Sequence, residues 1–294
     1  MRYRFIFDHV ATFPVVAMSR VLRISRSGYF TWLKRSASHR QRENDHILDR
    51  AKAAHKASKG TYGSPRVHRD LRSEGLTCSL NRVARIMKLG NVAARPLRRF
   101  AVTTDSNHRH PRAANMLDQD FAVAEPNKVW SADITYIWTA EGWLYLAVVL
   151  DLFNREVVGW SMKNEIDQLL VITALRSALI SRHPPAGLIC HSDQGSQYAS
   201  GAYQTELSKA QAVCSMSRRG NCYDNAPVES FFSTLKREMI HRQQFRTRQE
   251  ARTAIFQWIV AWYNSKRRHS ALDFISPKQF RMDHYQNKAS EMAA

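Results

Sequence analysis

Residues 129–138 read VWSADITYIW and residues 187–193 read GLICHSD, and these two stretches decide the fold. The first mixes β-branched and aromatic residues, the composition of a strand. WLYLAVVL (143–150) follows as an unbroken apolar run, which predicts a strand buried on both faces. A short turn, DLFNR (151–155), leads to a third strand in EVVGWSM (156–162). LLVITALRSALI (169–180) has helical apolar periodicity and is ended by His183, Pro184 and Pro185. GLICHSD is then a fourth strand, SGAYQTELSKAQA (200–212) a helix, VCSMS (213–217) a fifth strand, and NCYDNAPVESFFSTLKREMI (221–240) opens a helix with Pro227 in its first turn. Strands joined by short turns are antiparallel. A right-handed crossover through the helix returns the fourth strand parallel to the first and beside it. The order β-β-β-α-β-α-β-α therefore predicts an α/β domain with a mixed five-stranded sheet and flanking helices.

That topology places Asp133, mid-strand, beside Asp193, at the end of the fourth strand. Neighbouring strands at a switch in strand order are where such sheets keep their sites. A lone charge in an apolar strand is costly unless it is paired or binds a cation. Glu229, on the helix of residues 221–240, is the third carboxylate. Three carboxylates brought together repel, and a divalent cation removes the penalty. Magnesium suits an all-oxygen set and keeps positions for water and phosphate. Two ions about 3.5–4 Å apart stabilise the attacking and leaving oxygens of an in-line displacement at phosphorus. Asp133, Asp193 and Glu229 are thus the expected catalytic and metal-binding residues, with Mg²⁺ as cofactor, Mn²⁺ as substitute, and no zinc. Asp151 is explained by a turn, Asp224 by a helix cap, and Glu238 lies about half a turn off the Glu229 face.

The charge balance points to the substrate. The chain carries 44 Lys and Arg against 25 Asp and Glu, a net +19. Residues 1–120 hold 24 basic and 9 acidic side chains, so most of the excess is N-terminal. A polyanion such as DNA suits that surface. Lys236 falls seven residues after Glu229, on one helical face with it and Ser233, and is expected to touch DNA. Arg237, Arg218 and Arg219 extend that rim. Residues 14–35 predict two short helices, with Ser25 capping the one that carries Tyr29, Phe30 and Trp32. In YGSPRVHRDLRSEG (62–75) Ser64 is the expected cap and Gly75 the stop. The next helix shows Arg82, Arg85 and Lys88 on its outer face, the arrangement of a groove reader, or equally of a solvated bundle. Residues 93–128, with Arg95, Arg98 and Arg99, read as a basic linker. Thr247 and Glu250 form a capping box for a helix with Ala251, Ile255, Trp258, Ile259 and Trp262 as its stripe. Arg267 and Arg268 follow as a candidate DNA-contacting loop. Residues 283–294 read as a polar, frayed tail.

The resulting domain expectation is a helical segment (1–40), a helix-turn-helix-like DNA-binding module (41–95), a linker (96–125), a catalytic domain (126–282) and a tail. Cys78, Cys190, Cys214 and Cys222 show no CxxC pair, so neither a structural zinc site nor a disulfide scaffold is expected. No apolar run approaches membrane length, and the N-terminus lacks the pattern of a signal peptide, so a cytoplasmic, nucleoid-associated protein is the expectation.

WSADITYI, GWLYLAVVLDLFNREVVGW, HSDQGSQYAS, SMSRRGNCYDNAPVESFFSTLKRE and YNSKRRHSALDFISP together resemble the OrfB-type transposases of the IS-three family of bacterial insertion sequences. TYGSPRVHRDL and NRVARIMK extend the resemblance over nearly the whole chain. Thirty-five residues separate Asp193 from Glu229, the spacing of the DD(35)E signature, and 59 separate Asp133 from Asp193. The resemblance implies an RNase H-like, integrase-like core, Mg²⁺ dependence, terminal inverted repeats and target DNA as substrates, and 3′-hydroxyl strand transfer. It implies a homo-oligomer on DNA and an upstream OrfA-type partner or fusion. The His-His-Cys-Cys zinc unit of retroviral integrases has no counterpart here. Two readings stand beside it: an RNase H-fold nuclease that cuts without joining, and a DNA-binding regulator silent without its partner half.

Overall fold

The structure, a computed structural model, describes residues 1–94, 113–218 and 222–293. The chain forms two compact units, Met1–Ala94 and Arg95–Ala294. In the first unit α1 (Arg2–His9), α2 (Val15–Val21) and α3 (Arg26–Lys34) gather around Ile6, Met18 and Tyr29. Ser25 caps α3 as expected, its hydroxyl accepting from the Gly28 N–H. Helix α1 had no sequence signal, because Arg2, Arg4 and Asp8 interrupt its apolar residues.

Helices α4 (His39–Ala57), α5 (Ser64–Ser73) and α6 (Leu80–Leu89) make the rest of that unit. Ser38 and Ser79 cap α4 and α6 by accepting from the N–H three residues on. Ser64 is not the cap expected of it: α5 begins at Ser64, and Gly63 takes the capping position without a side-chain bond. The helix does stop at Gly75, whose φ of +85° lets the Leu76 N–H turn back to the Leu71 carbonyl. Val67 and Leu71 from α5 are fully buried, as are Val83, Ile86 and Met87 from α6 and Ile47 and Ala51 from α4.

The second unit holds the sheet. β1 (Val129–Thr139), β2 (Gly142–Asp151) and β3 (Val157–Lys163) are antiparallel, and β4 (Ile189–Ser192) and β5 (Val213–Met216) add in parallel, in the order β3-β2-β1-β4-β5. This is the predicted mixed sheet, with α7 (Gln168–Arg182) as the crossover and α8 (Gly201–Lys209) between β4 and β5. β2 is buried on both faces, as its unbroken apolar run foretold. Ala147 and Val149 pack with Leu170, Leu175 and Ala178 of α7, while Leu146, Val148 and Leu150 pack with the opposite layer. That layer is α9 (Ala226–Glu238) and α10 (Arg248–Gln257), which runs on into π-helical turns at Trp258–Asn264.

Two expected loops are ordered instead. Residues 113–125, expected within the linker, pack on this unit: Leu117 is buried in its core, Asn115 bonds Asp224, and the Met116 N–H donates to Ser215 Oγ. Residues 283–293, expected within a frayed tail, belong to α11 (Pro277–Ala293). Arg281 on that helix joins Arg182 at the buried Glu156, and Lys288 pairs with Glu125. Both ties run to residues more than a hundred positions away, which no local pattern reveals.

Candidate active site

The β1–β4 ladder ends with Ala132 opposite Ser192, so Asp133 and Asp193 are the next residue on each strand. Parallel neighbours lie about 4.8 Å apart, so the two carboxylates leave adjacent backbone positions. Asp133 Oδ1 accepts from the Ile134 N–H at 2.7 Å. Asp193 Oδ1 accepts from the Gly195 N–H at 3.0 Å. Gly195 permits that bond because a Cβ there would lie 2.9 Å from the same oxygen.

Glu229 is reached through α9, whose start is fastened to β1. Ser131 Oγ donates to Asn225 Oδ1, and Asn225 Nδ2 donates to the Ala132 carbonyl at 3.2 Å. These anchors lie one and two residues before Asp133. Asn225 stands at the capping position of α9, but its side chain makes no cap bond and forms this cross-element tie instead. Asp224 is not a cap either. It is buried and accepts from the Arg218 backbone and guanidinium, Asn115 and Gln119. The Arg218 bonds hold its carboxyl well below the usual range.

The three carboxylates interact through space. Burial pushes the Asp133 carboxyl well above its ordinary value, the charge of Asp193 pushes the same way and Glu229 adds to it, while the Ile134 N–H and Lys236 oppose. Glu229 is solvent-exposed in part, and the burial of the remainder raises its carboxyl. Among the described residues no three His, Cys, Asp or Glu side chains stand close enough to hold a metal ion as they are oriented. The three carboxylates therefore influence one another without converging on a single point. Tyr198, buried in the cluster that packs with α7 and α8, has its hydroxyl pushed well above its ordinary value by burial, and the charges of Asp133 and Asp193 push the same way. His191 bridges Ser215 and Ser217 across to β5, and burial lowers it to about 4, so it stays neutral.

The basic residues divide sharply. Lys236 is buried, with Nζ 4.9 Å from the centre of the Tyr136 ring. Burial lowers its ammonium and the charge of Asp133 works against that. Arg267, expected in a DNA-contacting loop, lies buried against Glu238 at 2.8 Å. That pair also accounts for Glu238. Arg268 donates to the Phe274 carbonyl and Arg237 to the Ser233 carbonyl. Arg218 is tied to Asp224 and Asp118. On α6, Arg82 bonds Glu43 and Asn44, while Arg85 and Lys88 are exposed. Arg95, Arg98, Arg99 and Arg219 lie outside the described residues. Asp151 proves structural: it is buried and accepts from the Asn127 and Phe153 N–H groups.

Sequence reasoning missed Asn225 as the anchor of α9, although a signal was present. Asp224 and Asn225 supply two capping-type residues just ahead of Pro227, where a helix needs one. Tyr198 had no signal, since a tyrosine near a helix start is ordinary.

A mixed sheet with carboxylates on adjacent central strands and on a helix stitched to them defines an integrase-type core. Residues 123–222 and 210–277 each match a family described as an integrase core domain, and residues 42–100 match an HTH-like domain. The chain is 43% identical over 282 residues to the transposase InsF for insertion sequence IS3A of Escherichia coli strain K12, covering 95% of this chain and 98% of that protein. It is likewise 43% identical over 272 residues to a 31 kDa protein of insertion element IS600 from Shigella sonnei, covering 92% of this chain and 100% of that one. Among solved structures it resembles a simian T-cell lymphotropic virus intasome, at 16% identity and a TM-score of 0.46 over 79% of this chain and 73% of that one. The chain belongs to the IS3 family of insertion-sequence transposases. No described helix is long and apolar enough to cross a membrane.

Proposed function

We propose that Asp133, Asp193 and Glu229 form the catalytic set of a transposase that cuts insertion-sequence ends and joins the freed 3′-hydroxyl to target DNA. The observation that carries this reading is the register of β1 and β4, which sets Asp133 beside Asp193, with α9 and Glu229 fastened to the same strand by Asn225. The donors are carboxylate oxygens without thiolate or imidazole, a set that suits Mg²⁺, or Mn²⁺, rather than zinc. Two such ions, when bound, supply Lewis-acid stabilisation of the attacking and leaving oxygens. Asp133 and Asp193 hold the site from the sheet, and Gly195 orients Asp193 through its N–H. Glu229 closes it from α9, and Lys236 carries positive charge to the side of Asp133. In the first step water attacks the phosphorus, the bridging P–O bond breaks, and the strand is released with a 3′-hydroxyl. In the second, that hydroxyl attacks a target phosphodiester and displaces a new 3′-oxygen.

Residues 41–95 serve as the DNA-binding module, with Arg85 and Lys88 on the exposed face of α6, and residues 126–282 as the catalytic domain. Terminal inverted repeats and target DNA are the substrates. A homo-oligomer on DNA, working at the nucleoid with an upstream OrfA-type segment, is the expected assembly. The test incubates labelled element ends with the protein, fused to any upstream frame, in Mg²⁺ or Mn²⁺, beside Asp193→Asn. Joined products that vanish in the variant support the reading. Cleavage without joining leaves a nuclease, and end binding without metal-dependent chemistry leaves a regulator.

A further inference from the structure

Beside the outer end of the β1–β2 hairpin lies a groove of about 900 Å³, walled by Tyr136, Trp138, Trp143, Lys236, His241 and Arg246. Trp138 is 60% exposed and Trp143 42%. Single exposed aromatics are common, but clustered ones beside a groove mark a binding surface. The rings brace one another edge to face: Tyr136 and Trp143 are 5.1 Å apart at 87°, and Trp138 and Trp143 4.8 Å apart at 74°. The hairpin tip is fixed from behind, since the Ala140 N–H donates to the Phe245 carbonyl and Arg248 Nε donates to the Trp143 carbonyl. The aromatic surface is therefore both exposed and held in place.

The chemistry of the walls selects an occupant. None of the described residues lining the groove is Asp or Glu, whereas Lys236 and Arg246 offer positive charge and His241 adds an imidazole. Gln243 and Gln244 add amide donors and acceptors. Flat apolar rings, amides and cations without carboxylates match a nucleotide, with its base on a ring and its phosphate at a cation. Lys236, which lines the groove, is also the cation whose charge acts on Asp133. Lys236 shares α9 with Glu229 and lies over Tyr136 at 4.9 Å, and Tyr136 follows Asp133 by three residues on β1, roughly 10 Å along the strand and on the other face of the sheet, so that Lys236 is the side chain that meets both.

We infer that this groove holds an unpaired base of the DNA strand whose phosphate sits at the carboxylates, stacked on the Trp138 and Trp143 rings. This rests on the reading of Asp133, Asp193 and Glu229 as the joining site, and it adds that DNA is opened there rather than bound only as a duplex. Stacking tolerates any base, so the groove would trap an unpaired end without reading its sequence.

The test uses the full chain and an arbitrary-sequence duplex carrying a few unpaired 3′ nucleotides, beside its blunt counterpart, with affinity read by anisotropy. Wild type should prefer the frayed duplex by about 10-fold, within the range for one stacked base. Trp138→Ala with Trp143→Ala should bind both duplexes alike, and Trp138→Phe, which keeps a ring, should retain most of the preference. Circular dichroism confirms that the variants fold. Equal binding of the two duplexes by wild type overturns the inference, as does an unchanged preference in the double variant. A double variant that changes oligomeric state in place of the preference would make the groove a protein interface and also overturn it. The joining assay separates the two readings: joining without a preference for frayed ends removes the groove alone, and a preference without joining removes the catalytic reading and keeps the groove.

Discussion

Arg85 and Lys88 stand exposed on α6, whereas Arg267, in the unit that carries the sheet, is buried against Glu238. The residue types are the same and the consequences opposite. A cation with a carboxylate partner inside the protein is part of the fold, and one without such a claim on it can meet phosphate. The contrast follows the charge balance, since residues 1–94 carry 19 basic side chains against 6 acidic ones. In the second unit Arg182, Arg218, Arg267 and Arg281 all have carboxylate partners. Counting basic residues locates the polyanion-binding surface only after these are subtracted.

The contrast breaks most directly at Arg267. Arg267→Ala leaves Glu238 buried without its partner and should cost about 3–5 kcal/mol in chemical denaturation. If the loss is under about 1 kcal/mol while DNA affinity falls, Arg267 belongs with the phosphate-binding cations after all. The next effect concerns Asn225, which belongs to the polar fastening of the catalytic unit. Asn225→Ala strands the Ser131 hydroxyl and the Ala132 carbonyl, a loss of about 1–3 kcal/mol. It should also lower strand joining while leaving binding of element ends unchanged; equal joining at equal folded fraction would mean that α9 needs no such tie.

Arg85→Ala and Lys88→Ala sharpen the other side. Stability should stay within about 0.5 kcal/mol. Each phosphate left without its cation should lower the slope of log affinity against log salt by about 0.9 and weaken all duplexes alike. An unchanged slope would make α6 a solvated face.

The smallest effect is the pH dependence of Asp224. Its folded carboxyl is held below the ordinary 3.8, chiefly by Arg218. The stability it contributes is complete above the ordinary value and is lost as the pH falls through the folded one. Asp224→Asn should therefore flatten the acid limb of the stability curve relative to wild type, as read by thermal melts at descending pH. An acid limb of the same slope would show that the Arg218 bonds carry no such linkage.

The sheet was legible because its rules are local or topological. Alternation and apolar runs mark β1 to β4, short turns force antiparallel pairing, and a right-handed crossover has one place to land. Asp133 and Asp193 follow from that register alone. What escaped was set by partners distant in sequence. Arg267 looked like a solvated loop because Glu238 lies 29 residues away. Residues 113–125 looked like linker because Asp224 and Ser215, their partners, belong to other elements. The aromatic groove was invisible for a similar reason: Trp138 and Trp143 each read as strand residues, and their exposure depends on what packs beyond the hairpin.

In the function proposed above, Asp133, Asp193 and Glu229 act as one unit. The direct measurement is strand joining of labelled element ends by Asp133→Asn, Asp193→Asn, Glu229→Gln and the triple variant, each at saturating protein and equal folded fraction. Groups that act together give losses that do not add, so each single substitution should reduce joining nearly as far as all three. A single variant that still joins ends at close to the wild-type rate, or losses that multiply from single to triple, would contradict the account.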